Sequence, residues 1–406
     1  MHARSIKPDP SSGTLQAAGV RRQRVLFVDD EEAILEALRG VLRPQRHEWE
    51  MVFALGGPAG LQEIESSKFD VVVTDMRMPV VDGAALLTRV KELQPQAVRL
   101  VLSGQTDSQT ALKSVFTAHQ FLAKPCDIEK LRNVVRRCCE LNELLAADEL
   151  KSLCGDVSVL PAAPTTYLAI SKVLANPNSS VSDVARIVER EPILCAKVLQ
   201  VVNSAFFGLS RAVSNIAQAA TYLGTLALRD LSLAMESMAS LQKSRTPLPA
   251  ASYASFQLNA LAVGLLARRC FPADRRKADD AFVAGMLRDM GHLVLATRTN
   301  ATHSEQDQHA ALSAYLLGLW GIPHAVLEAV AFHERPEDVE HEALEVVDAV
   351  NLADSFVSRL APSPFQAAPS HDAERLERLG VAHGTLDAME ESARKVLREA
   401  REMLAP

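Results

Sequence analysis

Between Arg24 and Asn142 the chain alternates short apolar runs with longer segments in which apolar residues recur every three or four positions. The short runs are rich in Val and Leu and have the length of buried strands, whereas the longer segments have the spacing of amphipathic helices. This alternation predicts an α/β domain with a parallel sheet, covered on both faces and connected by right-handed crossovers. The five predicted strands are 24–29, 50–55, 70–75, 98–103 and 120–123.

After Pro161 and Pro164 the strand pattern disappears, and helical spacing continues to about residue 404. Several of these segments open with helix start signals, such as Ser182 and Pro192. The second half of the chain is therefore predicted to be all-α, with an exposed loop at 361–370. The predicted helices are 165–175, 181–190, 193–206, 215–222, 225–241, 250–270, 278–297, 308–319, 324–333, 342–360 and 385–404.

The helix predicted from Ile128 continues beyond the point where a compact α/β domain needs it to end. Its apolar residues recur at three- and four-residue steps, which fits a short coiled seam, a helical linker, or a helix packed on its own domain. A coiled seam would allow a homodimer. The predicted domain organisation is a disordered tail at 1–22, an α/β domain at 23–142, a helical linker at 143–160 and an all-α domain at 161–404.

Composition narrows the class of protein. The 406 residues are 48% hydrophobic and 23% charged, which is ordinary for a globular protein of two or three domains. The net charge of −7 and the absence of a basic recognition helix argue against DNA binding. A transcription factor is nevertheless kept open as an alternative class of protein. Six scattered cysteines without a C-x-x-C pair predict reduced thiols rather than disulfides or a zinc site.

The N-terminal segment is rich in Ser, Pro, Gly and charged residues and has no apolar centre, so we expect neither a signal peptide nor an anchor in it. No apolar run approaches the length of about 18 residues that a membrane-spanning helix needs. These features predict a cytoplasmic protein with no membrane partner.

Polar residues end four of the five predicted strands: Asp29 and Asp30, Asp75, Ser103, and Lys124. Because the carboxyl ends of parallel strands meet at one edge of a sheet, these side chains are expected to lie together. Converging carboxylates repel one another unless a cation compensates them. Three carboxylates with a hydroxyl and a lysine therefore predict a magnesium-dependent phosphate site.

The order Asp-Asp, Asp, Ser and Lys-Pro on successive strands resembles the receiver domain of bacterial two-component response regulators, a flavodoxin-like (βα)5 fold. The resemblance implies that Asp75 is the phospho-acceptor. It also implies that Asp29, Asp30, Asp75 and the backbone carbonyl of Arg77 bind Mg²⁺, and that a sensor histidine kinase is the partner.

The same resemblance gives roles to three further side chains. Lys124 would bind a phosphoryl oxygen, and Ser103 would turn its hydroxyl toward the phosphate once it has formed. Phe121 lies three residues before Lys124, at the position of the family's aromatic switch. A phenylalanine lacks the hydroxyl of the tyrosine often found there, but the rotamer change depends mainly on the ring.

The helical half resembles the HDOD family, an all-α output domain related to HD metal-dependent phosphohydrolases. The resemblance is strongest over about 155–300. It rests on four segments that match the family pattern: Leu160-Pro-Ala-Ala-Pro164, Glu191-Pro192, Val202-Asn-Ser-Ala-Phe-Phe-Gly208 and Ile216-Ala-Gln-Ala-Ala-Thr-Tyr-Leu-Gly224. An HDOD domain implies a downstream protein as partner.

The positions that bind metal in HD hydrolases are only partly kept in this chain. The first histidine position is Asn259, and the His-Asp doublet is Arg288-Asp289. A guanidinium stays protonated and cannot ligate a metal, so Arg288 is expected to pair with a neighbouring carboxylate. The other candidate positions are His309 and His333, which we expect to be packing or surface residues, and Asp354, which matches the final Asp.

These observations predict a response regulator that is phosphorylated on Asp75 and signals through a non-catalytic HDOD domain. The alternative is a metal-dependent phosphohydrolase, similar to cyclic dinucleotide phosphodiesterases, under control of the receiver domain.

Overall fold

The computed structural model places most of the 406 residues. The predicted tail lies outside the described residues except for its last residue, as does the predicted linker beyond residue 144. The structure describes residues 22–104, 117–124, 128–144, 166–174, 176, 179–203, 209, 211–225, 227–229, 231–232, 250–296, 308–363, 365, 369–381 and 383–404.

The N-terminal domain contains the predicted five-stranded parallel sheet, with strand order β2-β1-β3-β4-β5. All five predicted strands are confirmed to within one residue at each end. The strands are β1 (Gln23–Asp29), β2 (Trp49–Leu55), β3 (Val71–Asp75), β4 (Val98–Gly104) and β5 (Gln120–Lys124).

The central strands are apolar on both faces because helices cover both sides of the sheet. Val25, Leu26, Phe27 and Val28 are all buried. The helix predicted after β4 falls on residues 105–116, outside the described residues. The helices of this domain are α1 (Glu32–Val41), α2 (Gly56–Ser66), α3 (Gly83–Leu93) and α4 (Ile128–Leu144).

The rest of the described chain is helical, which confirms the predicted all-α half. Two short 3₁₀ turns lie at Arg43–His47 and Pro336–Asp338. Residues 225, 227–229 and 231–232 are also helical, and the rest of the helix predicted at 225–241 lies outside the described residues. The helices are α5 (Thr166–Leu174), α6 (Val181–Val188), α7 (Pro192–Asn203), α8 (Ile216–Leu223), α9 (Ala250–Arg269), α10 (Arg275–Leu287), α11 (Met290–Leu295), α12 (His309–Leu319), α13 (His324–Phe332), α14 (Val346–Leu360), α15 (Ala373–Arg378) and α16 (His383–Leu404).

Two details of the helix prediction are wrong. The single helix predicted at 278–297 is two helices, α10 and α11, because the chain turns at Arg288 and Asp289 and directs both side chains into the core. The helix α15 was not predicted, since its six residues span less than two turns of apolar periodicity. Among the described helices, none is both long enough and apolar enough to cross a membrane.

The apolar face of α4 is buried inside the chain. Leu131, Cys138 and Leu141 are all buried, and the side chain of Leu141 lies against Gly318 of α12. Of the arrangements that the spacing left open, the structure therefore shows a helix that packs on both its own domain and the helical domain. A homodimer stays a prediction.

Hydrogen bonds also join the two domains along β5 and α4. Gln200 Nε2 on α7 donates to the backbone oxygens of Ala118 (3.2 Å) and His119 (3.0 Å), just before β5. Arg137 Nη2 on α4 donates to the Ile322 oxygen at 2.8 Å. The helical domain is thus fixed to the strand that ends in Lys124.

Candidate functional sites

Three of the predicted side chains meet at the carboxyl edge of the sheet, one from each of β1, β3 and β5. The Lys124 ammonium lies 2.8 Å from Asp29 Oδ2 and also contacts Asp75 Oδ1. Both carboxylates are buried, whereas the Lys124 side chain is 24% exposed. The strand register brings them together, since Val28 of β1 pairs with Thr74 of β3 and each is followed by its aspartate.

The local backbone fixes both carboxylates. The Arg77 N–H donates to Asp75 Oδ2 at 2.7 Å, and the Glu31 N–H donates to Asp29 Oδ1 at 3.0 Å. Helix α3 starts against the end of β3, and a Cβ at Gly83 would lie 2.2 Å from the Asp75 backbone oxygen. Only a residue without a side chain allows this approach. Because its other oxygen accepts a backbone N–H, each of the two carboxylates presents one oxygen to Lys124.

Burial and the neighbouring charges act on Asp75 in opposite directions. Burial raises the pKa of Asp75, and the Lys124 ammonium and the Arg77 N–H only partly offset this effect. Burial alone would lower the pKa of Lys124, but its bonds to Asp29 and Asp75 outweigh it and raise that pKa. The lysine therefore stays cationic and compensates the two acids.

The donor set at this edge fits Mg²⁺, which binds oxygen ligands from carboxylates. Asp29 and Asp75 lie together, and Asp30 follows at the end of β1 with an exposed side chain. The strand positions of Ser103 and Phe121 are as predicted, but their side chains lie outside the described part of the structure.

In the helical domain, Arg288 is the centre of a buried polar cluster. Its Nε and Nη2 donate to the two oxygens of Asp354, each at 3.0 Å, and Nη2 also contacts Asn259 Oδ1. Asp289 Oδ2 lies 3.0 Å from the same guanidinium nitrogen. Arg288 was expected to pair with one neighbouring carboxylate, and it pairs with both Asp289 and Asp354, with Asn259 as a further partner.

The Arg288 cluster is enclosed by protein. Arg288 and Asp354 have no exposed side-chain surface, and Arg288 Nη1 donates to the Gly285 oxygen at 2.7 Å. Burial would lower the pKa of Arg288, but Asp289 and Asp354 outweigh it and raise that pKa. The guanidinium therefore supplies a fixed positive charge among these acids.

His309 and His333 lie beside this cluster and are 2% and 0% exposed, so of the two expected positions, packed or on the surface, both residues have the packed one. Both imidazoles face Asp289. Sequence reasoning missed His292 on α11, whose ring stacks on His309 with centroids 4.0 Å apart. Its spacing of three residues from Asp289, which places both on one face of a helical turn, was the available signal.

Two residues of the matched HDOD segments have structural contacts. Asn203 donates from Nδ2 to the Val213 oxygen (2.8 Å) and accepts from the Val213 N–H (2.6 Å), which ties down the chain ahead of α8. Glu191 accepts from the Leu194 N–H at 2.7 Å at the start of α7. Burial raises the pKa of Glu191 to about 7.

The chain is similar to curated bacterial proteins over part of its length. An uncharacterised protein of Treponema pallidum is 20% identical over 239 residues, 54% of this chain and 46% of that protein. The hydrogenase transcriptional regulatory protein HoxA of Bradyrhizobium diazoefficiens is 32% identical over 123 residues, 30% of this chain and 24% of that protein. The chain thus spans less than half the length of both relatives.

Two solved structures are also similar. The receiver domain of an HD domain-containing protein from Pseudomonas fluorescens is 30% identical, covers 30% of this chain and 98% of its own, and superposes with a TM-score of 0.29. The response regulator MmoQ from Methylococcus capsulatus is 19% identical, covers 57% of this chain and 98% of its own, and superposes with a TM-score of 0.44.

Two protein families match this chain, one in the N-terminal α/β domain and one in the helical domain. Residues 25–136 match the response regulator receiver domain, which includes Asp29, Asp75 and Lys124. Residues 160–308 match the HDOD domain, which includes Asn259, Arg288 and Asp289. The chain therefore belongs to the proteins that join a response regulator receiver domain to an HDOD domain.

Proposed function

We propose that this chain is a response regulator of a two-component system, that a sensor histidine kinase phosphorylates it on Asp75, and that its HDOD domain is a non-catalytic module that binds a downstream protein. The observation that carries the proposal is the Lys124 ammonium between Asp29 and Asp75 at the edge of the sheet. A lysine and two acids held there are the groups that receive and neutralise a phosphoryl group.

In the proposed reaction, a carboxylate oxygen of Asp75 forms a bond to phosphorus while the bond between phosphorus and the kinase histidine breaks. The ionised carboxylate is the nucleophile. Asp29, Asp30, Asp75 and the Arg77 backbone carbonyl would hold Mg²⁺, which supplies positive charge against the incoming phosphoryl oxygens. Lys124 is already in contact with Asp75 and would shift from the carboxylate to a phosphoryl oxygen.

Labelling with acetyl phosphate and Mg²⁺, followed by intact-mass spectrometry, tests the acceptor. We expect one phosphoryl group per chain in the wild type and none in Asp75→Asn. Asp82→Asn is the matched control, because Asp82 is an exposed carboxylate that caps α3, and asparagine keeps that cap. Labelling of Asp75→Asn at the wild-type level would show that the acceptor is another residue.

Titration of the metal-free chain tests the environment of Asp75. Burial raises the pKa of this carboxyl. Without Mg²⁺, the carboxyl carbon signal of Asp75 in ¹³C NMR, assigned by its loss in Asp75→Asn, should therefore titrate at a higher pH than that of an exposed aspartate. A signal that titrates in the ordinary range of aspartate would contradict the buried pocket.

The contacts between the domains provide a route for the signal. Strand β5 carries Lys124 at its carboxyl end, and the Gln120 side chain at its other end donates to the Gly318 oxygen of α12 at 3.4 Å. Gln200 of α7 holds the two residues that precede β5. The phosphoryl group carries about two negative charges and replaces the single charge of the Asp75 carboxylate beside Lys124, and a displacement of β5 would reach both helices.

Hydrogen exchange tests this route. With Mg²⁺ and beryllofluoride, a phosphoryl mimic, we expect amide exchange to change in α7 (192–203) and α12 (309–319). In Asp75→Asn the same additions should change neither helix. Unchanged exchange in the wild type, with beryllofluoride bound to the receiver domain, would mean that the signal takes another path.

The buried Arg288 supports the non-catalytic role. HD hydrolases use metal ions to activate water. Here the Arg288 guanidinium, which cannot ligate a metal, donates hydrogen bonds to Asp354 and Asn259 and forms an ion pair with Asp289. We expect no hydrolysis of bis-p-nitrophenyl phosphate or cyclic dinucleotides with Mn²⁺. Turnover that is lost in Asp289→Asn would favour the alternative, a metal-dependent phosphohydrolase.

A further inference from the structure

Lys197 of α7 lies at the contact between the two domains, and its amine is enclosed by protein. The residue is 2% exposed. Its Nζ donates to Gln200 Oε1 at 3.1 Å and lies 4.2 Å from the centre of the Trp320 ring. Gln200 in turn donates to the backbone oxygens of Ala118 and His119 in the receiver domain. The proposed phosphorylation makes no use of this buried nucleophilic group.

The receiver domain places positive charge near this amine. Arg99 of β4 is buried and held in place, since its Nε donates to the Thr117 oxygen at 2.6 Å and its Nη2 lies 3.2 Å from His119 Nε2. Burial and the charges of Arg99, Lys197 and Lys91 lower the pKa of His119 well below its usual range, so this imidazole is neutral. The receiver cations that act on Lys197 are therefore Arg99 and Lys91, which lies near the end of α3.

The environment of Lys197 favours its neutral amine. Burial, and then repulsion from Lys91 and Arg99, lowers the pKa of Lys197 to about 7. About half of these amines are neutral at pH 7, compared with about one in 2,500 for an exposed lysine with a pKa of about 10.4. Only the neutral form has a lone pair that can attack a carbon electrophile.

The same receiver cations would stabilise a negative charge at this position. A neighbouring cation disfavours an ammonium and favours an anion, because the interaction keeps its size and changes its sign. The Trp320 ring favours the ammonium, but it opposes the full charges of both Arg99 and Lys91. Gln200 Oε1 accepts from any form of the nitrogen that keeps one hydrogen. An amine that carries a carboxylate therefore suits this environment.

We propose that Lys197 is a modification site at which dissolved CO₂ adds to the amine and forms a carbamate. The Nζ lone pair forms a bond to the carbon of CO₂, one π electron pair of a C=O bond moves onto its oxygen, and the nitrogen releases one proton to water. The product carries one negative charge and keeps one N–H for Gln200 Oε1. Because CO₂ is small and uncharged, local opening of the domain contact is enough to admit it.

The carbamate changes the electrostatics of the domain contact. Its charge attracts Arg99 and Lys91, which repel the ammonium of Lys197 in the absence of CO₂. An addition that occurs in the folded chain and not at the exposed lysine of the unfolded chain stabilises the fold. At constant pH and ionic strength, CO₂ should raise the melting temperature of the wild type and not that of Lys197→Met.

Isotope labelling and chemical trapping test the site in the full-length chain. The protein is equilibrated near neutral pH with ¹³C-labelled bicarbonate and CO₂, and a second sample is kept under nitrogen. We expect a carbamate signal in ¹³C NMR that Lys197→Met lacks. Alkylation with triethyloxonium traps the carboxylate as an ester, and peptide mass spectrometry locates it. The N-terminal amine, with a pKa of about 7.7–8.0, also reacts, and its carbamate should appear in both chains.

Lys91→Met tests the role of the receiver cations while Lys197 stays in place. The substitution removes a charge that favours both the neutral amine and the carbamate, so trapping at Lys197 should fall by about threefold or more. Lys172→Met removes an exposed lysine of α5 and should leave trapping at Lys197 unchanged. Circular dichroism and the melting temperature establish that each variant is folded.

Two results would overturn the site. One is the absence of a carbamate at Lys197 in the folded wild type under CO₂. The other is equal trapping at Lys197 and at exposed Lys172, which would mean an unselective reaction. The site is independent of the proposed phosphorylation, so Asp75→Asn should form the carbamate as the wild type does, and failure of either proposal leaves the other standing.

Discussion

At the scale of single residues, the two sites differ in the cation that compensates their carboxylates. Lys124 is a flexible ammonium, partly exposed, and contacts one oxygen of each acid. Arg288 is fully buried and uses Nε, Nη1 and Nη2 in fixed bonds. A lysine can move to a phosphoryl oxygen, whereas a planar guanidinium in a bidentate bond is held in place. Only the receiver site is therefore suited to a reversible change of charge.

Replacement of Arg288 by leucine tests how strongly this guanidinium stabilises the helical domain. The change leaves Asp354 buried without its cation, and such a loss typically lowers the free energy of unfolding by about 3–5 kcal/mol. Arg394→Ala removes an arginine from an exposed pair with Glu390 and should change stability by less than about 1 kcal/mol. Urea unfolding followed by circular dichroism measures both.

The double variant Arg288→Leu/Asp354→Leu separates an unpaired charge from lost packing. It removes the carboxylate as well, so it should recover part of the stability that Arg288→Leu loses. If the single variant is no less stable than Arg394→Ala, the buried pair does not hold the domain together.

At the scale of elements, the sheet and its acidic edge could be predicted because their signals are local. Each strand is a continuous apolar run, and parallel strands place their last residues at one edge. The break between α10 and α11 could not be predicted in this way, because the apolar spacing continues through Arg288 and Asp289. The partners that pull these side chains inward, Asn259 and Asp354, lie far away along the chain. No periodicity encodes such pairs.

Two glycine-to-alanine substitutions in helices of the receiver domain should have opposite effects. In Gly83→Ala, the new Cβ would lie 2.2 Å from the Asp75 backbone oxygen, so α3 must shift. We expect the free energy of unfolding to fall by about 1–3 kcal/mol. Gly40 of α1 has nothing within 4 Å of such a Cβ, so Gly40→Ala should stabilise by about 0.5–1 kcal/mol.

Both glycine variants can be measured by thermal unfolding under the same conditions. Equal stability of Gly83→Ala and Gly40→Ala would contradict the close contact of α3 with the end of β3. That contact sets the position of the Asp75 backbone, so the comparison also reports on the receiver site.

At the scale of the whole molecule, the two domains meet around a buried lysine. Lys197 of α7 is 2% exposed, and its Nζ lies 4.2 Å from the centre of the Trp320 ring and 3.1 Å from Gln200 Oε1. Burial, followed by the receiver cations Lys91 and Arg99, lowers the pKa of Lys197 to about 7. Domain packing thus works against the charged form of this lysine.

Lys197→Met should therefore remove a pH dependence of stability. The folded-state pKa of about 7 lies below the value of about 10.4 expected after unfolding. Between these values the unfolded chain binds more protons, so the wild type gains stability as the pH rises, by at most about 1.4 kcal/mol per pH unit. The methionine variant should be more stable at pH 7 and lack this gain, whereas the exposed control Lys172→Met should keep the wild-type slope. Equal slopes in all three chains, measured by urea unfolding from pH 7 to 9, would show that Lys197 does not meet the receiver domain in this way.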